Sequence, residues 1–200
     1  MEDRKEFLLR MYDQLWNNIN RHILVVWQSV GVLVGIFAVF SLVEKKIISI
    51  DIASTLIILI SSWLIAHVID ASLWVNRNLA IITNIERQFL KEEDLRNIHY
   101  FFGERPKKDM LDHLQIQFWL GILIAGIVLA YHLINRVLPG IGSPISNFKV
   151  ERSLPYIVLI PCIILLFKLY RKNIKRFEEF LKNSPGIKIN TSERDSGELD

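Results

Sequence analysis

The sequence predicts an all-α integral membrane protein with four transmembrane helices in two hairpins and cytoplasmic helical extensions. Three observations lead to this fold class. The chain of 200 residues is 51% apolar, its charged residues (22%) are almost absent from four long apolar runs, and Lys and Arg cluster between alternate pairs of runs. A soluble domain would spread its apolar residues at core-facing spacing rather than gather them into runs.

The first hairpin is predicted from two runs that are close to the roughly 20 helical residues a bilayer core requires. The first span covers residues 23–43 and contains Gln28 as its one strongly polar interior residue. The second span covers residues 52–69 and carries Ser61 and Ser62 in its interior. A signal peptide is not expected for the first run, because the run is too long and no small-residue cleavage site follows it.

The second hairpin is predicted from the runs 116–134 and 154–170. His132 lies near the end of the third span. The fourth span is the shortest, with Pro161 in its interior and Lys168 near its end. Because a lysine stem can reach toward the headgroups, we still expect this run to cross the membrane.

Orientation follows from the distribution of Lys and Arg outside the spans. The segments 1–22, 70–115 and 171–200 carry 18 basic residues, whereas the loops 44–51 and 135–153 carry five. Basic residues favour the cytoplasmic side of a membrane. We therefore predict a multi-pass protein of the cell inner membrane with both termini in the cytoplasm.

The segments next to the first hairpin show helical periodicity. Residues 2–22 read as a helix that runs directly into the first span, and the pattern after the second span continues over residues 70–97. The apolar stripe of this second segment includes Ile82 and Phe89, which we predict to form an oligomer interface. The sequence predicts four regions. Residues 1–97 form the first hairpin with its cytoplasmic helices, and residues 98–115 form a connector. Residues 116–184 form the second hairpin with an amphipathic helix, and residues 185–200 form a flexible tail.

Catalytic signatures are missing from the sequence: it has no glycine-rich phosphate loop, no His-Glu-x-x-His and no paired cysteines, since Cys162 is its only cysteine. No enzyme activity, cofactor or metal is therefore predicted. His22, His67 and Asp70 all fall near the predicted cytoplasmic boundary. Two interpretations of this interfacial cluster stay open, a proton or metal site and the commoner anchoring of helix ends.

Small residues at four-residue spacing predict close helix packing, because they let two backbones approach each other in a membrane. One pair lies in the first span and one in the third, at Gly31 and Gly35 and at Gly121 and Ala125. We expect self-association through at least one of them.

Polar side chains inside the first hairpin must face another helix or water, since exposure to lipid is costly. They are Gln28, Ser29, Ser61 and Ser62. Interhelical hydrogen bonding and pore lining are the two interpretations of these residues.

Residues 8–95 resemble the small bacterial membrane proteins of the SLATT type. The similar positions precede the first span or follow the second: Tyr12, Ile19, Asn20, Arg21, Trp74, Asn78, Leu79, Ile82, Ile85 and Glu86. The resemblance implies an oligomeric membrane effector of a nucleotide-triggered defence system, possessing two spans joined to cytoplasmic helices. The second hairpin has no counterpart in that two-span pattern.

The function predicted from these observations is an oligomeric bacterial membrane protein that forms a pore or disrupts the membrane under the control of a partner or ligand. The alternative is a noncatalytic scaffold that recruits a cytoplasmic partner. Expected partners are membrane lipid, further copies of the chain and a cytoplasmic protein or nucleotide trigger, with no nucleic acid.

Overall fold

The fold, taken from a computed structural model, is described for residues 2–90, 110, 112–141 and 149–183. Within these ranges the side chains of residues 2, 22, 23, 25, 26, 28 and 87 lie outside the description. Most of the predicted connector 98–115 and the predicted tail 185–200 also fall outside it.

Four long helices form the described part of the chain, which contains no strand. They are α1 (Glu2–Glu44), α2 (Ile50–Phe89), α3 (Asp112–His132) and α4 (Leu154–Asn183). A π-helical turn at Leu133–Val137 and a 3-10 turn at Leu138–Gly140 extend α3, and a second 3-10 turn, Val150–Ser153, leads into α4. The predicted all-α fold is confirmed.

Three helical segments are long and apolar enough for a part of each to cross a membrane, namely Ile50–Glu86, Asp112–Gly140 and Val150–Asn183. In α1 the apolar stretch Ser29–Glu44 is shorter than these three segments. A transmembrane character is thus supported for α2, α3 and α4. The arrangement of four spans in two hairpins stays a prediction.

Helix α2 is the centre of the bundle, because it packs against each of the other three long helices. Half of its most apolar window is buried, compared with 22% for α3 and 6% for α4. Much of the apolar surface of α4 is therefore left uncovered by the described chain. Such a surface is unfavourable in water and suited to hydrocarbon.

An apolar core joins α1, α2 and α3 along the middle of the bundle. Its buried members are Val32, Ile36, Ile57, Leu64, Val68, Ala71, Leu114 and Val128. At Gly121 the backbone of α3 comes so near α2 that an added Cβ would lie 2.7 Å from Cγ1 of Ile65. The missing side chain is what permits this approach.

A second apolar core joins the first part of α1 to the last part of α2. We call these two helical parts, residues 2–22 and 70–89, the stalk. The buried members of the stalk core are Leu15, Ile19, Val75, Leu79, Ile82 and Ile85. Ile82 is fully buried against α1 of the same chain, so it is not available to a second copy in this arrangement. Phe89, its partner in the predicted oligomer interface, is 39% exposed.

The turn between α1 and α2 is short and tightly hydrogen-bonded. Lys46 adopts a left-handed backbone conformation with φ of 58°, and its N–H donates to the carbonyl of Val43 at 2.9 Å. The side chain of Ser49 then caps α2 by accepting from the N–H of Ile52 at 3.3 Å. This turn fixes Asp51 in the first turn of α2, where the helix dipole favours a negative charge.

Candidate functional site

The candidate site is a buried polar network at one end of the bundle, formed by Asp51, His132, Arg136 and Tyr156. Asp51 lies in the first turn of α2, His132 is the last residue of α3, and Tyr156 lies in the first turn of α4. Arg136 belongs to the π-helical turn Leu133–Val137, a form of helix that often occurs at functional sites. Three helices therefore meet through their polar side chains at this end.

The centre of the network is an ion pair between Asp51 and Arg136. Nη2 of Arg136 donates to Oδ2 of Asp51 at 2.7 Å, and Nε donates to Oδ1 at 3.0 Å. Both carboxylate oxygens are thus held by one guanidinium, which is the forked geometry typical of strong Arg–carboxylate pairs. The side chain of Asp51 is fully buried, whereas that of Arg136 is 32% exposed.

His132 extends the network from α2 to α4. Its Nε2 lies 2.9 Å from Oδ1 of Asp51, and its Nδ1 lies 3.1 Å from the hydroxyl of Tyr156. Since an ionised carboxylate can only accept, Nε2 must carry the proton in this contact. In the neutral imidazole Nδ1 then accepts from the Tyr156 hydroxyl, which fixes the ring in one tautomer.

A second arginine packs beside the network without joining its ion pair. Nη1 of Arg152 lies 2.9 Å from the position that a Cβ on Gly140 would occupy. Any larger residue at 140 would therefore have to displace this guanidinium. Nε of Arg152 is buried and has no hydrogen-bond partner in the described part of the chain.

Chemically, the network is suited to holding helices together. Among the described residues no group of three His, Cys, Asp or Glu side chains is arranged to hold a metal ion. Removing one partner of a buried ion pair typically costs about 3–5 kcal/mol, because the other charge is left unpaired. The junction of α2, α3 and α4 therefore depends on all of its members being present.

The predicted polar positions of the first hairpin lie in different surroundings. Ser29 is buried and has a partner, and Ser61 is fully buried with no partner for its hydroxyl among the described residues. Ser62 lines a groove between α3 and α4. The side chain of Gln28 lies outside the described residues. Ser29 and Ser61 are thus covered by protein within one copy of the chain.

The predicted interfacial cluster is only partly described. The ring of His67 stacks on Trp63, with centroids 5.2 Å apart and planes 14° apart. Asp70 is half-buried on the same helix, and neither residue forms an ion pair within the described ranges. The side chain of His22 lies outside the described residues. The stacking on Trp63 gives His67 a packing role.

The predicted small-residue pairs differ in what they contact. Gly121 packs closely on α2, and Ala125 lines the groove between α3 and α4. Gly31 and Gly35 have nothing within 4 Å of an added Cβ. Together with Trp63 they border an open apolar groove of about 520 Å³ on the outer face of α1 and α2.

A larger groove separates α3 from α4. It has a volume of about 950 Å³, and residues of α2 such as Ser62 and Ile65 form its floor. Phe118 and Ala125 lie on one wall and Leu159 on the other. Helices α3 and α4, which the network joins at one end, are therefore separated along much of their remaining length.

Sequence reasoning missed this network. Asp51 fell in the predicted loop 44–51, and His132 counted only as a polar residue near the end of a span. One local signal was available: His132 and Arg136 stand four residues apart, which puts both on one helix face. Their partner Asp51 is 81 residues from His132 and 85 from Arg136, and no local pattern reveals a pairing at that distance.

The fold and the network define a class of protein: over its described residues the chain is helical, with three helices able to cross a membrane and a buried ion pair at one end of the bundle. No known protein family, curated protein or solved structure matches the chain. The resemblance of residues 8–95 to SLATT proteins stays a prediction.

Proposed function

We propose that this protein is an oligomeric membrane effector that conducts ions or disrupts the bilayer when triggered, and that the polar network is its latch. In this proposal four helices cross the inner membrane, both termini and the stalk are cytoplasmic, and the network lies at the outer surface. The bundle is closed while the network is intact. Separation of α3 and α4 from α2 at that end opens it.

The observation that carries the proposal is the buried ion pair between Asp51 and Arg136. A buried pair contributes little net stability, because desolvation of both charges offsets their attraction. Its best attested role is to fix one arrangement of helices or to act as a switch between two. The groove between α3 and α4 supports the second role, since at the network end an ion pair joins Asp51 to Arg136 and a hydrogen bond joins His132 to Tyr156 of α4.

Assembly through α1 is the second part of the proposal. Gly31 and Gly35 present a small-residue surface that no other part of the described chain covers. Such surfaces let helices of two copies approach closely. The neighbouring apolar side chains of Val34 and Phe37 are 63% and 72% exposed and would enlarge that contact.

Ion flux from liposomes tests the latch. Purified wild type and the variant Asp51→Asn are reconstituted at equal density, with Asp112→Asn as a control that changes an exposed acid on α3. We expect low flux from wild type and from the control, and at least tenfold higher flux from Asp51→Asn, because the variant holds Arg136 and His132 less tightly. Equal flux from all three proteins, at matched insertion, contradicts the latch.

The scaffold alternative is favoured by a different observation at the stalk. Phe7 is 64% exposed and Phe89 is 39% exposed near the free end of the stalk, where a cytoplasmic protein could bind them. A scaffold needs no conduction. Tight liposomes for wild type and for Asp51→Asn, combined with loss of cellular function in Phe7→Ser and Phe89→Ser, would favour it over the effector.

A further inference from the structure

Basic side chains are concentrated where the apolar part of α4 ends. Five occur within nine residues, with no acidic residue between them: Lys168, Arg171, Lys172, Lys175 and Arg176. All five are exposed. Clusters of this size directly beside a membrane-spanning segment attract anionic lipid headgroups.

Among the described residues, one of these five charges has an acidic partner. Nζ of Lys175 lies 3.9 Å from Oε1 of Glu179. Within the described ranges no carboxylate lies at ion-pair distance from Lys168, Arg171, Lys172 or Arg176. The described residues therefore leave four of the five charges available to an external anion.

An apolar groove of about 470 Å³ adjoins two of these cations. Ile163, Ile164 and Phe167 form its apolar part, and Lys168 and Arg171 border the same groove. The three apolar side chains are about half exposed, and the described chain leaves them uncovered. A ligand of this surface must therefore be apolar over one part and anionic at the other.

The position of Arg171 is fixed by its neighbour. Its Cζ lies 4.8 Å from the centroid of the Phe167 ring, a cation–π contact that holds the guanidinium over the groove. Ile164, Lys168 and Arg171 stand at spacings of four and three residues, so they occupy one face of the helix. The apolar and the cationic parts of the surface are continuous along that face.

We propose that this face of α4 binds an anionic phospholipid, with the headgroup phosphate between Lys168 and Arg171 and an acyl chain along Ile163, Ile164 and Phe167. Charge complementarity selects the anion, since an ammonium and a guanidinium together provide several donors for phosphate oxygens. The adjoining apolar groove selects a lipid over a free phosphate. The proposal rests on the membrane location of α4 and is independent of conduction.

Lipid binding to the full-length, delipidated protein in neutral detergent tests the proposal. Fluorescently labelled phosphatidylglycerol is titrated into wild type and into the double variant Lys168→Gln/Arg171→Gln. We expect about 25-fold weaker binding by the double variant, because each basic residue near an anionic lipid contributes roughly fivefold. Phe167→Ala keeps both charges and should bind at least threefold more weakly than wild type, since it removes groove surface and the contact that orients Arg171.

A matched control is Lys5→Gln/Lys182→Gln, which removes the same charge from two exposed lysines outside the basic cluster. It should bind phosphatidylglycerol within threefold of wild type. Unlabelled phosphatidylglycerol should displace the probe, whereas phosphatidylcholine and inorganic phosphate at the same concentration should not. Equal binding by wild type and the first double variant, equal losses in both double variants, or displacement by inorganic phosphate would each overturn the site. The assay does not measure conductance, so a negative result for lipid binding does not bear on the proposed latch.

Discussion

The two ends of α2 are joined to their neighbours in different ways. At the network end, fully buried Asp51 is held by Arg136 and His132 across three helices. At the stalk end, the Tyr12 hydroxyl donates to Oε1 of Glu86 at 3.1 Å at the half-buried margin of an apolar core. The first end has an ion pair in its interior, whereas the second has an apolar core with the Tyr12–Glu86 hydrogen bond at its margin.

The difference follows from the surroundings that each end is suited to. In water, burial of apolar surface drives the two stalk helices together. In hydrocarbon that drive is lost, because lipid is as apolar as leucine, and polar contacts and close packing select the helix partners. A chain with both kinds of junction is suited to a membrane at one end of α2 and to water at the other.

The largest expected effect is at the network. Asp51→Asn should lower the free energy of unfolding in detergent by about 3 kcal/mol, since it leaves Arg136 and His132 without their carboxylate. Thermal or denaturant unfolding of the purified protein measures this. The control Asp112→Asn alters an exposed acid and should stay within about 0.5 kcal/mol of wild type. A loss below about 1 kcal/mol for Asp51→Asn would mean that apolar contacts alone hold this end.

A somewhat smaller effect is expected in the stalk core. Ile82→Ala should destabilise the stalk by about 2–3 kcal/mol, because a fully buried side chain is removed from a packed core. Hydrogen exchange of the amides of residues 75–89 reports on this region alone. Leu9→Ala removes an apolar side chain that is 47% exposed and should leave exchange almost unchanged. Normal protection in Ile82→Ala would contradict an apolar junction.

The stalk should also respond to pH through Glu86, which lies roughly 25 Å along the helix beyond the predicted span 52–69. Burial raises the pKa of the Glu86 carboxyl, and the hydrogen bond from Tyr12 opposes this in part. The folded stalk therefore keeps the proton to a higher pH than the unfolded chain does. Its stability is greatest below the ordinary pKa of glutamate and falls as the pH rises to the raised value.

Glu86→Gln tests whether the Glu86 carboxyl causes this pH dependence. The variant removes the titrating group, and its amide oxygen can still accept a hydrogen bond from Tyr12. The variant should lose that pH dependence and be more stable than wild type at neutral pH, as measured by unfolding at a series of pH values. Tyr12→Phe serves as the counterpart, because it removes the donor and keeps the carboxyl. If the stability of wild type and of Glu86→Gln depended on pH in the same way, another group would cause the pH dependence.

The smallest expected effect is at the turn between α1 and α2. Lys46→Gly should stabilise the protein by about 0.5–1 kcal/mol, because glycine adopts the left-handed conformation at φ of 58° without the crowding of a Cβ. Lys45→Gly changes the neighbouring residue, which does not have a positive φ, and should be neutral or destabilising. A loss of stability in Lys46→Gly would show that the lysine side chain matters more than its backbone.

Local patterns in the sequence were sufficient for the all-α fold and for the apolar segments of α2, α3 and α4. Periodicity also marked Ile82 as an apolar position, but it could not tell whether α1 or a second copy covers that residue. Four-residue spacing predicted close helix packing at both Gly31 and Gly121. Of these two, Gly121 is in close contact with another helix in the described part of the chain. In each case the answer depends on which distant helix lies opposite, and hydropathy carries no such information.

The distance between the helix ends tests the latch most directly. Ile47 and Val150, both well exposed near the network, can be replaced by cysteine and spin-labelled in a Cys162→Ser background. Pulsed electron paramagnetic resonance in bilayers should give one narrow distance distribution for the protein with an intact network. The same pair in Asp51→Asn should give a broader distribution shifted to longer distances, while Tyr12→Phe leaves it unchanged. An unchanged narrow distribution in Asp51→Asn would contradict the claim that this network holds the helix ends together.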